Sequence, residues 1–297
     1  MSLATLVGQV LPWATVFHCL FWISRAASAS LSKTYRELDE PEKSYWASSV
    51  VSNLHAVVIC WFSVTALCET PSFMTTSDFF LSTEVSLLCS EIFLGYIVSD
   101  LVLVLWYNAK WPGMFANLMH HVSMVICWSQ LTMGKYGQLF ALSAVCEAST
   151  PFVNFRWFLG KLGMKESLLY FYNGLAMTFS FFVLRVVGLL WMGTRIVAQR
   201  EGLAALPVQN SRILLLSYGV GMALQLFWFS KIVKGAMKTL GYGRKKPLAK
   251  GLISVAGQED IPIDTVVIKQ RPLPPDVQSS ERGFYGSNLP WNNKNNK

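Results

Sequence analysis

Long apolar stretches separated by short polar segments occupy most of the chain between residues 4 and 233. Each stretch is close to the ~20 residues that an α-helix needs to cross the hydrocarbon core of a bilayer. The pattern predicts an all-α polytopic membrane protein with six or seven transmembrane helices, and seven is the preferred number. The seven predicted spans are residues 4–24, 47–67, 85–106, 114–132, 137–159, 168–192 and 213–233.

The fifth stretch, residues 137–159, decides between six and seven spans. It contains Glu147, Pro151, Asn154 and Arg156, which is a heavy polar load for a helix that faces lipid. The segment either spans as an interior helix surrounded by protein or breaks at Pro151, whose ring removes a backbone donor.

The composition agrees with a membrane protein. Charged residues make up 14% of the chain, against about 25% in a typical soluble domain. Apolar residues make up 53%, and the mean hydropathy is +0.38. The six cysteines lie in or beside apolar segments without any C-x-x-C spacing. The sequence therefore predicts neither a disulfide framework nor a zinc site built on cysteines.

The distribution of Lys and Arg predicts the orientation of the chain, because cytoplasmic loops carry an excess of these residues. With seven spans, thirteen basic residues fall on one side of the membrane and four on the other. This bias places the N-terminus in the lumen and the C-terminus in the cytosol. With six spans, the basic-rich and basic-poor loops would no longer alternate between the two sides of the membrane. The basic side contains Arg25, Lys33, Arg36, Lys43, Lys110, Lys161, Lys165, Lys231, Lys234, Lys238, Arg244, Lys245 and Lys246.

The formal net charge of +8 follows from these cytosolic loops. Basic residues at that position contact anionic lipids, so membrane lipids are the predicted partners and nucleic acid is not. Residues 244–297 are rich in Pro, Gly, Ser and Asn. They have too little apolar surface to form a core, and the composition predicts a disordered cytosolic tail.

Two adjacent histidines, His120 and His121, lie inside the fourth predicted span. Ionisable side chains at this depth are costly and usually face a cavity or a polar partner. A helical rise of ~1.5 Å per residue places His120 about 9 Å from the cytosolic face, level with Asp100 of the third span. Glu147 lies near the middle of the membrane. We therefore predict a cluster of Asp100, His120 and His121 that opens towards the cytosol, with Glu147 beneath it.

This cluster has a catalytic and a structural interpretation. A carboxylate that is hydrogen-bonded to an imidazole fixes its tautomer and raises its basicity, as a general base requires. Either Asp100 or Glu147 is a candidate for that role. In the structural interpretation, the same polar groups form a buried lattice that holds neighbouring helices in register.

Four further polar residues are candidates for lining a lipid-binding cavity between the helices. Two of them lie within one helical turn of the histidine pair, and the other two lie in the fifth stretch with Glu147. These candidates are Asn117, Ser123, Ser149 and Asn154.

The remaining ionisable residues of the spans receive structural predictions. Arg185 lies in the opposite third of the sixth span and is expected to extend to the far interface rather than pair with Asp100. His18 and His55 are expected to be packed and satisfied. No metal site is predicted, because adjacent histidines diverge by about 100° around a helix and no H-x-x-x-H or H-E-x-x-H spacing occurs.

Three stretches carry a resemblance to a known family. They are the aspartate of SDLVLVLW, the histidine pair of NLMHHVSMV, and E-x-S-T-P-x-x-N-x-R-W within AVCEASTPFVNFRWFLGKLG. In these motifs the chain resembles the TLC family of polytopic membrane proteins over roughly residues 40–243. The resemblance implies a TLC domain in residues 40–243. The apolar pattern adds an N-terminal transmembrane helix and cytosolic loop in 1–39, and the composition adds the tail in 244–297.

The resemblance also implies a location in the endoplasmic reticulum and a role in lipid metabolism or lipid homeostasis. Ceramide synthases, the best-known enzymes of the family, join a fatty acyl-CoA to a sphingoid amine. Their active-site histidine pair matches His120 and His121. By that likeness His120 would attack the acyl thioester or deprotonate the amine, with His121 supporting it.

The chain departs from the ceramide synthases after the histidine pair. Where they carry H-D-x-x-D, this sequence reads CEASTP, with the single carboxylate Glu147, and Met124 replaces a Thr of their motif. We therefore predict a protein of lipid homeostasis that binds a lipid in a cavity between its helices and needs no cofactor. The alternative is a lipid N- or O-acyltransferase that uses acyl-CoA as co-substrate, with His120, His121, Asp100 and Glu147 at its active site. A trafficking or cargo-binding role is a third hypothesis.

Overall fold

The computed structural model describes residues 2–74, 81–107, 110–111 and 113–239. The regular structure in these ranges is helical, without β-strands. The predicted tail, 244–297, lies outside the described residues. The α-helices are α1 (Leu3–Leu31), α2 (Lys33–Glu37), α3 (Glu40–Glu69), α4 (Glu84–Tyr107), α5 (Met114–Met133), α6 (Gly137–Ala144), α7 (Thr150–Lys161), α8 (Leu168–Ser180), α9 (Gly188–Ala198), α10 (Arg200–Ala205) and α11 (Val208–Thr239).

Several helices begin where a short polar side chain caps the first backbone N–H groups. Ser2, Ser32 and Ser167 accept hydrogen bonds from the backbone three residues ahead, at the starts of α1, α2 and α8. Asp39 does the same at the start of α3, where its carboxylate accepts from the backbone N–H of Glu42 at 2.8 Å. These caps separate the short α2 from its long neighbours.

Within the ranges that the structure describes, five helices are long and apolar enough to cross a membrane, which confirms the prediction of an all-α polytopic membrane protein. They are α1, α3, α4, α11 and the continuous helix Leu168–Ala198, in which α8 and α9 are joined by a π-helical turn at Phe181–Val187. Helix α5 has 20 residues and no Asp, Glu, Lys or Arg, but its polar residues lower its hydropathy below that of the five. The preferred number of seven spans stays a prediction.

The fifth predicted span is interrupted. Helix α6 passes into a 3-10 helix at Val145–Ser149, and α7 starts directly after it. The break therefore precedes Pro151, which occupies the first turn of α7, where a missing N–H costs nothing. The irregular segment matters because it contains Glu147 and Ser149.

Helix α4 forms the centre of the bundle. About 67% of its spanning segment is buried, against 17–33% for the other four membrane-length helices. It contacts α1, α3, α5 and α6. Because α4 is surrounded by protein, a polar residue on it can be satisfied by a neighbouring helix, and Asp100 is such a residue.

The close approach of α1 to α4 depends on Gly95. A Cβ atom at this position would lie 2.4 Å from the Cβ of Trp13 and 2.9 Å from the backbone nitrogen of Ala14. Even a methyl group would therefore force the two helices apart.

We expect Gly95→Ala to lower the free energy of unfolding by about 1–3 kcal/mol, the usual cost of overpacking a well-packed interior. Reversible unfolding in mixed detergent micelles measures this change. Gly8→Ala is the matched control on α1, because nothing lies within 4 Å of a Cβ there. A Gly95→Ala protein as stable as Gly8→Ala would contradict the predicted helix contact.

Candidate functional site

The centre of the candidate site is a buried pair between α4 and α5. The Asp100 carboxylate and the Nε2 atom of His121 are 2.7 Å apart, and each residue is only 8% exposed. Ser48 on α3 donates its hydroxyl to the other Asp100 oxygen at 2.7 Å. Three helices therefore meet at one carboxylate.

Both nitrogens of His121 are engaged in hydrogen bonds. Nδ1 lies 2.8 Å from the backbone carbonyl of Asn117. A carbonyl only accepts, so Nδ1 carries a proton and donates it. The Nε2 atom shares its hydrogen bond with Asp100. The ring of His121 is consequently held in one orientation, and no free lone pair remains on it.

His120 is the less constrained histidine of the pair. It is half-buried, and its Nδ1 atom is buried without a hydrogen-bond partner among the residues the structure describes. Its ring stands perpendicular to that of His121 and edge-on to Trp228 of α11, with centroid distances of 5.4 Å in each case. His120 thus retains a ring nitrogen that can bind another molecule.

Glu147 takes part in a second buried pair. Arg185 donates to Glu147 at 3.0 Å, to the hydroxyl of Thr150 at 2.7 Å and to the hydroxyl of Ser149 at 2.7 Å. Thr150 in turn donates to the second Glu147 oxygen at 2.6 Å. The carboxylate is therefore neutralised and does not hydrogen-bond to either histidine of the pair.

The expectation that Arg185 extends to the far interface is wrong. Arg185 is 7% exposed and lies in the π-helical turn, which packs against the 3-10 helix that holds Glu147. π-Helical turns often occur at functional sites because they redirect side chains. Here the arginine donates to three acceptors inside the bundle, so it need not extend to the membrane surface.

Comparison with known proteins places the chain in a family. The family model of the TLC domain matches residues 45–234, well over half of the chain. The chain belongs to the TLC-domain family. The predicted resemblance of the chain to the TLC family is thereby confirmed.

Several curated proteins are similar to this TLC-domain chain over most of their length. TLC domain-containing protein 4-B of Xenopus laevis is 28% identical over 79% of this chain and 90% of its own length. TLC domain-containing protein 4 of Homo sapiens is 27% identical over 80% and 91%. TLC domain-containing protein 4 A of Dictyostelium discoideum is 24% identical over 79% and 89%. No solved structure matches the chain.

The cavity-lining candidates of the TLC domain form hydrogen bonds to the protein itself. Asn117 contributes its carbonyl to His121, and Ser123 donates to the carbonyl of His120 at 2.9 Å. Ser149 accepts from Arg185. Asn154 donates to the side chain of Asn53 at 2.8 Å and to the carbonyl of Ser49 at 3.3 Å, both on α3. Their lining of a lipid cavity stays a prediction.

The last two residues of the family motif hold α7 to its neighbours. The Arg156 guanidinium lies 3.9 Å from the centroid of the Tyr170 ring and donates to the Tyr170 carbonyl at 3.1 Å. Trp157 packs against Tyr45 and Trp46 of α3, with centroid distances of 4.8 and 6.0 Å. In this protein the motif therefore ties α7 and the 3-10 helix to other elements.

The aromatic cluster around Trp46 extends from Trp157 to Tyr35 of the short helix α2. Tyr35 of α2 packs on Trp46 at 5.9 Å. Burial raises the pKa of the Tyr35 phenol above its ordinary value, and the nearby Arg25 guanidinium opposes part of that shift. Arg25 itself pairs with Glu40. This cluster anchors the connection between α1 and α3.

The two lone histidines have different environments. His18 is half-buried beside Phe21 and Trp22. His55 is 1% exposed and stacks on Tyr96 at 3.8 Å, but both of its ring nitrogens are without a partner among the described residues. It is packed as expected, and the expectation that it is satisfied is wrong.

The structure joins two of the predicted site residues directly, Asp100 and His121, and it pairs a third, Glu147, with Arg185. The sequence-based reasoning missed Ser48, Thr150 and the role of Arg185. An arginine in an apolar span requires a buried partner, and that requirement is the signal that could have paired Arg185 with Glu147.

Over the described ranges, no group of three or more His, Cys, Asp or Glu side chains is arranged to hold a metal ion.

Proposed function

We propose that this TLC-domain protein binds a membrane lipid in a cavity between its helices and acts in lipid metabolism or lipid homeostasis. Its buried polar cluster supports this function, because ionisable groups at membrane depth are costly and usually face a substrate, an ion or each other. Both carboxylates of the cluster are already neutralised by partners. What remains available for a ligand is His120.

The uncommitted Nδ1 atom of His120 is the observation that carries the proposal. A buried polar atom without a partner costs free energy comparable to a lost hydrogen bond. A bound lipid that supplies the missing hydrogen bond would recover that cost. Ligand binding beside Trp228 would also place an acyl chain along the apolar surfaces of α5 and α11.

Acyl transfer is a second candidate function, and the Asp100–His121 pair favours it. In such a reaction the acyl group would pass from the thioester sulfur to a lipid hydroxyl or amine, and the acceptor's proton would pass to the departing thiolate. His120 is the group that could move this proton, since His121 has no free nitrogen. Against this function, Glu147 is bound to Arg185 and cannot serve as a further catalytic carboxylate.

We further propose that the protein resides in the endoplasmic reticulum, with its N-terminus in the lumen and its C-terminus in the cytosol. The asymmetry of Lys and Arg supports this orientation. In this arrangement the histidine pair lies in the cytosolic half of the membrane, where a cytosolic acyl-CoA could reach it.

We expect His120→Ala to reduce the lipid that co-purifies with the full-length protein roughly three- to tenfold, the effect of losing one hydrogen bond. Mass spectrometry of protein purified in a mild detergent measures the bound lipid. His18→Ala, which removes a half-buried histidine from α1, should leave it unchanged.

The same samples decide between binding and catalysis when they are incubated with a panel of acyl-CoAs and lipid acceptors. Turnover that His120→Ala abolishes, in protein that remains folded, would favour the acyltransferase. A wild-type protein that retains no lipid and shows no turnover would contradict both functions.

A further inference from the structure

The seam between α5 and α11 contains two buried polar atoms that lack partners among the described residues. One is Nδ1 of His120, and the other is the side-chain oxygen of Gln225. Gln225 is 3% exposed and lies in the middle of α11, which is otherwise apolar in this part. The two atoms belong to facing helices, and nothing in the site described above engages either of them.

The contacts between the two helices place Gln225 near His120. The ring centroids of His120 and Trp228 are 5.4 Å apart, and Gln225 precedes Trp228 by one helical turn. One turn before Gln225 on α11, a Cβ at Gly221 would lie 3.9 Å from the terminal methyl carbon of Met124. Met124 follows His120 by one turn of α5. Gln225 therefore occupies the level between His120 and Met124.

Both atoms are expensive to leave unpaired in a membrane. An amide oxygen or imidazole nitrogen in hydrocarbon has no water to bond with, so it needs a partner from protein or ligand. Two such atoms at neighbouring levels of one seam can both be satisfied by a single bridging group.

We propose that this seam is the head-group subsite of the bound lipid and that it recognises a lipid with a free hydroxyl group. The hydroxyl donates its proton to the Gln225 oxygen and accepts a hydrogen bond from the N–H at Nδ1 of His120. The inference rests on the proposed lipid-binding function and specifies the class of lipid.

The surrounding charges select a hydroxyl over the other common head groups. Phosphate ester oxygens only accept hydrogen bonds, as does the Gln225 oxygen, so a phosphate would leave that oxygen unpaired. An ammonium group would need a counter-charge, but Asp100 is bound to His121 and Glu147 is bound to Arg185. A neutral hydroxyl both donates and accepts, and it needs no counter-charge.

The same helix offers the lipid's chains an apolar surface. Leu226 and Phe227 are about half exposed beside Gln225 on α11. Residues of this kind face the hydrocarbon region of a bilayer. A lipid whose hydroxyl enters the seam can therefore keep its acyl chains in the membrane.

The experiment uses a photoactivatable diacylglycerol with a diazirine in one acyl chain and a free hydroxyl. The full-length protein in nanodiscs is labelled with this probe, and labelling is competed with dioleoylglycerol or with its 3-O-methyl ether, which lacks the donor. In wild type we expect the alcohol to compete about three- to tenfold better than the ether, the effect of one hydrogen bond.

Gln225→Leu removes the acceptor while keeping a side chain of similar size. We expect this variant to lose the preference for the alcohol while it binds the ether as well as wild type does. Gln209→Leu is the matched control, because Gln209 is exposed at the start of the same helix. It should keep the wild-type preference.

The outcomes separate this inference from the proposed function. Equal competition by alcohol and ether in wild type would overturn the hydroxyl subsite and leave lipid binding intact. A Gln225→Leu protein that retains the full preference would also overturn it. Absence of specific labelling in wild type would overturn the subsite and count against lipid binding itself. The comparison in wild type stands even if Gln225→Leu fails to fold.

Discussion

Replacing Arg185 by Met is expected to lower the free energy of unfolding by about 3–5 kcal/mol, the cost of leaving one member of a buried ion pair without the other. Arg185 donates three hydrogen bonds, to Glu147, Ser149 and Thr150. Its removal leaves the Glu147 carboxylate with only the Thr150 hydroxyl, inside the bundle and away from water. Reversible unfolding in mixed detergent micelles measures the loss.

The double variant Arg185→Met with Glu147→Leu tests the cause. We expect it to recover most of the stability, because an apolar pair of similar volume replaces a buried ion pair at little cost. Arg200→Met is the control, since Arg200 is exposed on α10. If the single and double variants were equally unstable, the contribution of Arg185 would come from packing rather than from charge.

Replacing Asp100 by Ala is the second large effect that we expect, again about 3–5 kcal/mol in the free energy of unfolding. The carboxylate accepts hydrogen bonds from Ser48 and shares one with His121, so its loss leaves polar atoms on α3 and α5 without partners. Asp100→Asn keeps one acceptor oxygen and should lose less stability than Asp100→Ala.

A double-mutant cycle isolates the Asp100–His121 contact from the other effects of each substitution. We expect Asp100→Ala and His121→Ala together to cost about 1–3 kcal/mol less than the sum of the two single variants. Additive losses would mean that the two side chains do not interact in the membrane. Because His121 has no free nitrogen, we expect these variants to act on stability more strongly than on ligand selectivity.

The helical, membrane-spanning character of the protein could be predicted from the sequence because it depends on local patterns. A stretch such as residues 85–106 is apolar along its whole length, and only a helix satisfies its backbone hydrogen bonds in lipid. The prediction was less complete for residues 137–159. There the sequence left open a continuous helix or a break at Pro151, and the structure puts the break at the 3-10 helix Val145–Ser149.

The candidate site was predictable as a set of residues but not as a set of pairs. The cost of burying ionisable groups identifies Asp100, His120, His121 and Glu147 from the sequence alone. Helical depth places Asp100 level with the histidines, in agreement with the Asp100–His121 hydrogen bond. Depth does not give the rotation of each helix about its axis, and so it could not distinguish His121 from His120 as the partner of Asp100.

The sequence by itself determined that this is an all-α membrane protein, that it carries the motifs of the TLC-domain family, and that a few ionisable residues lie within its spans. These properties follow from hydrophobicity and spacing along one segment at a time. Only the tertiary structure decided that Arg185 pairs with Glu147, that His121 is held by Asp100 and Asn117, and that Gln225 shares a seam with His120. Each of these contacts joins segments that are distant in sequence. They depend on how the helices rotate and pack, which is determined by the whole core rather than by any local pattern.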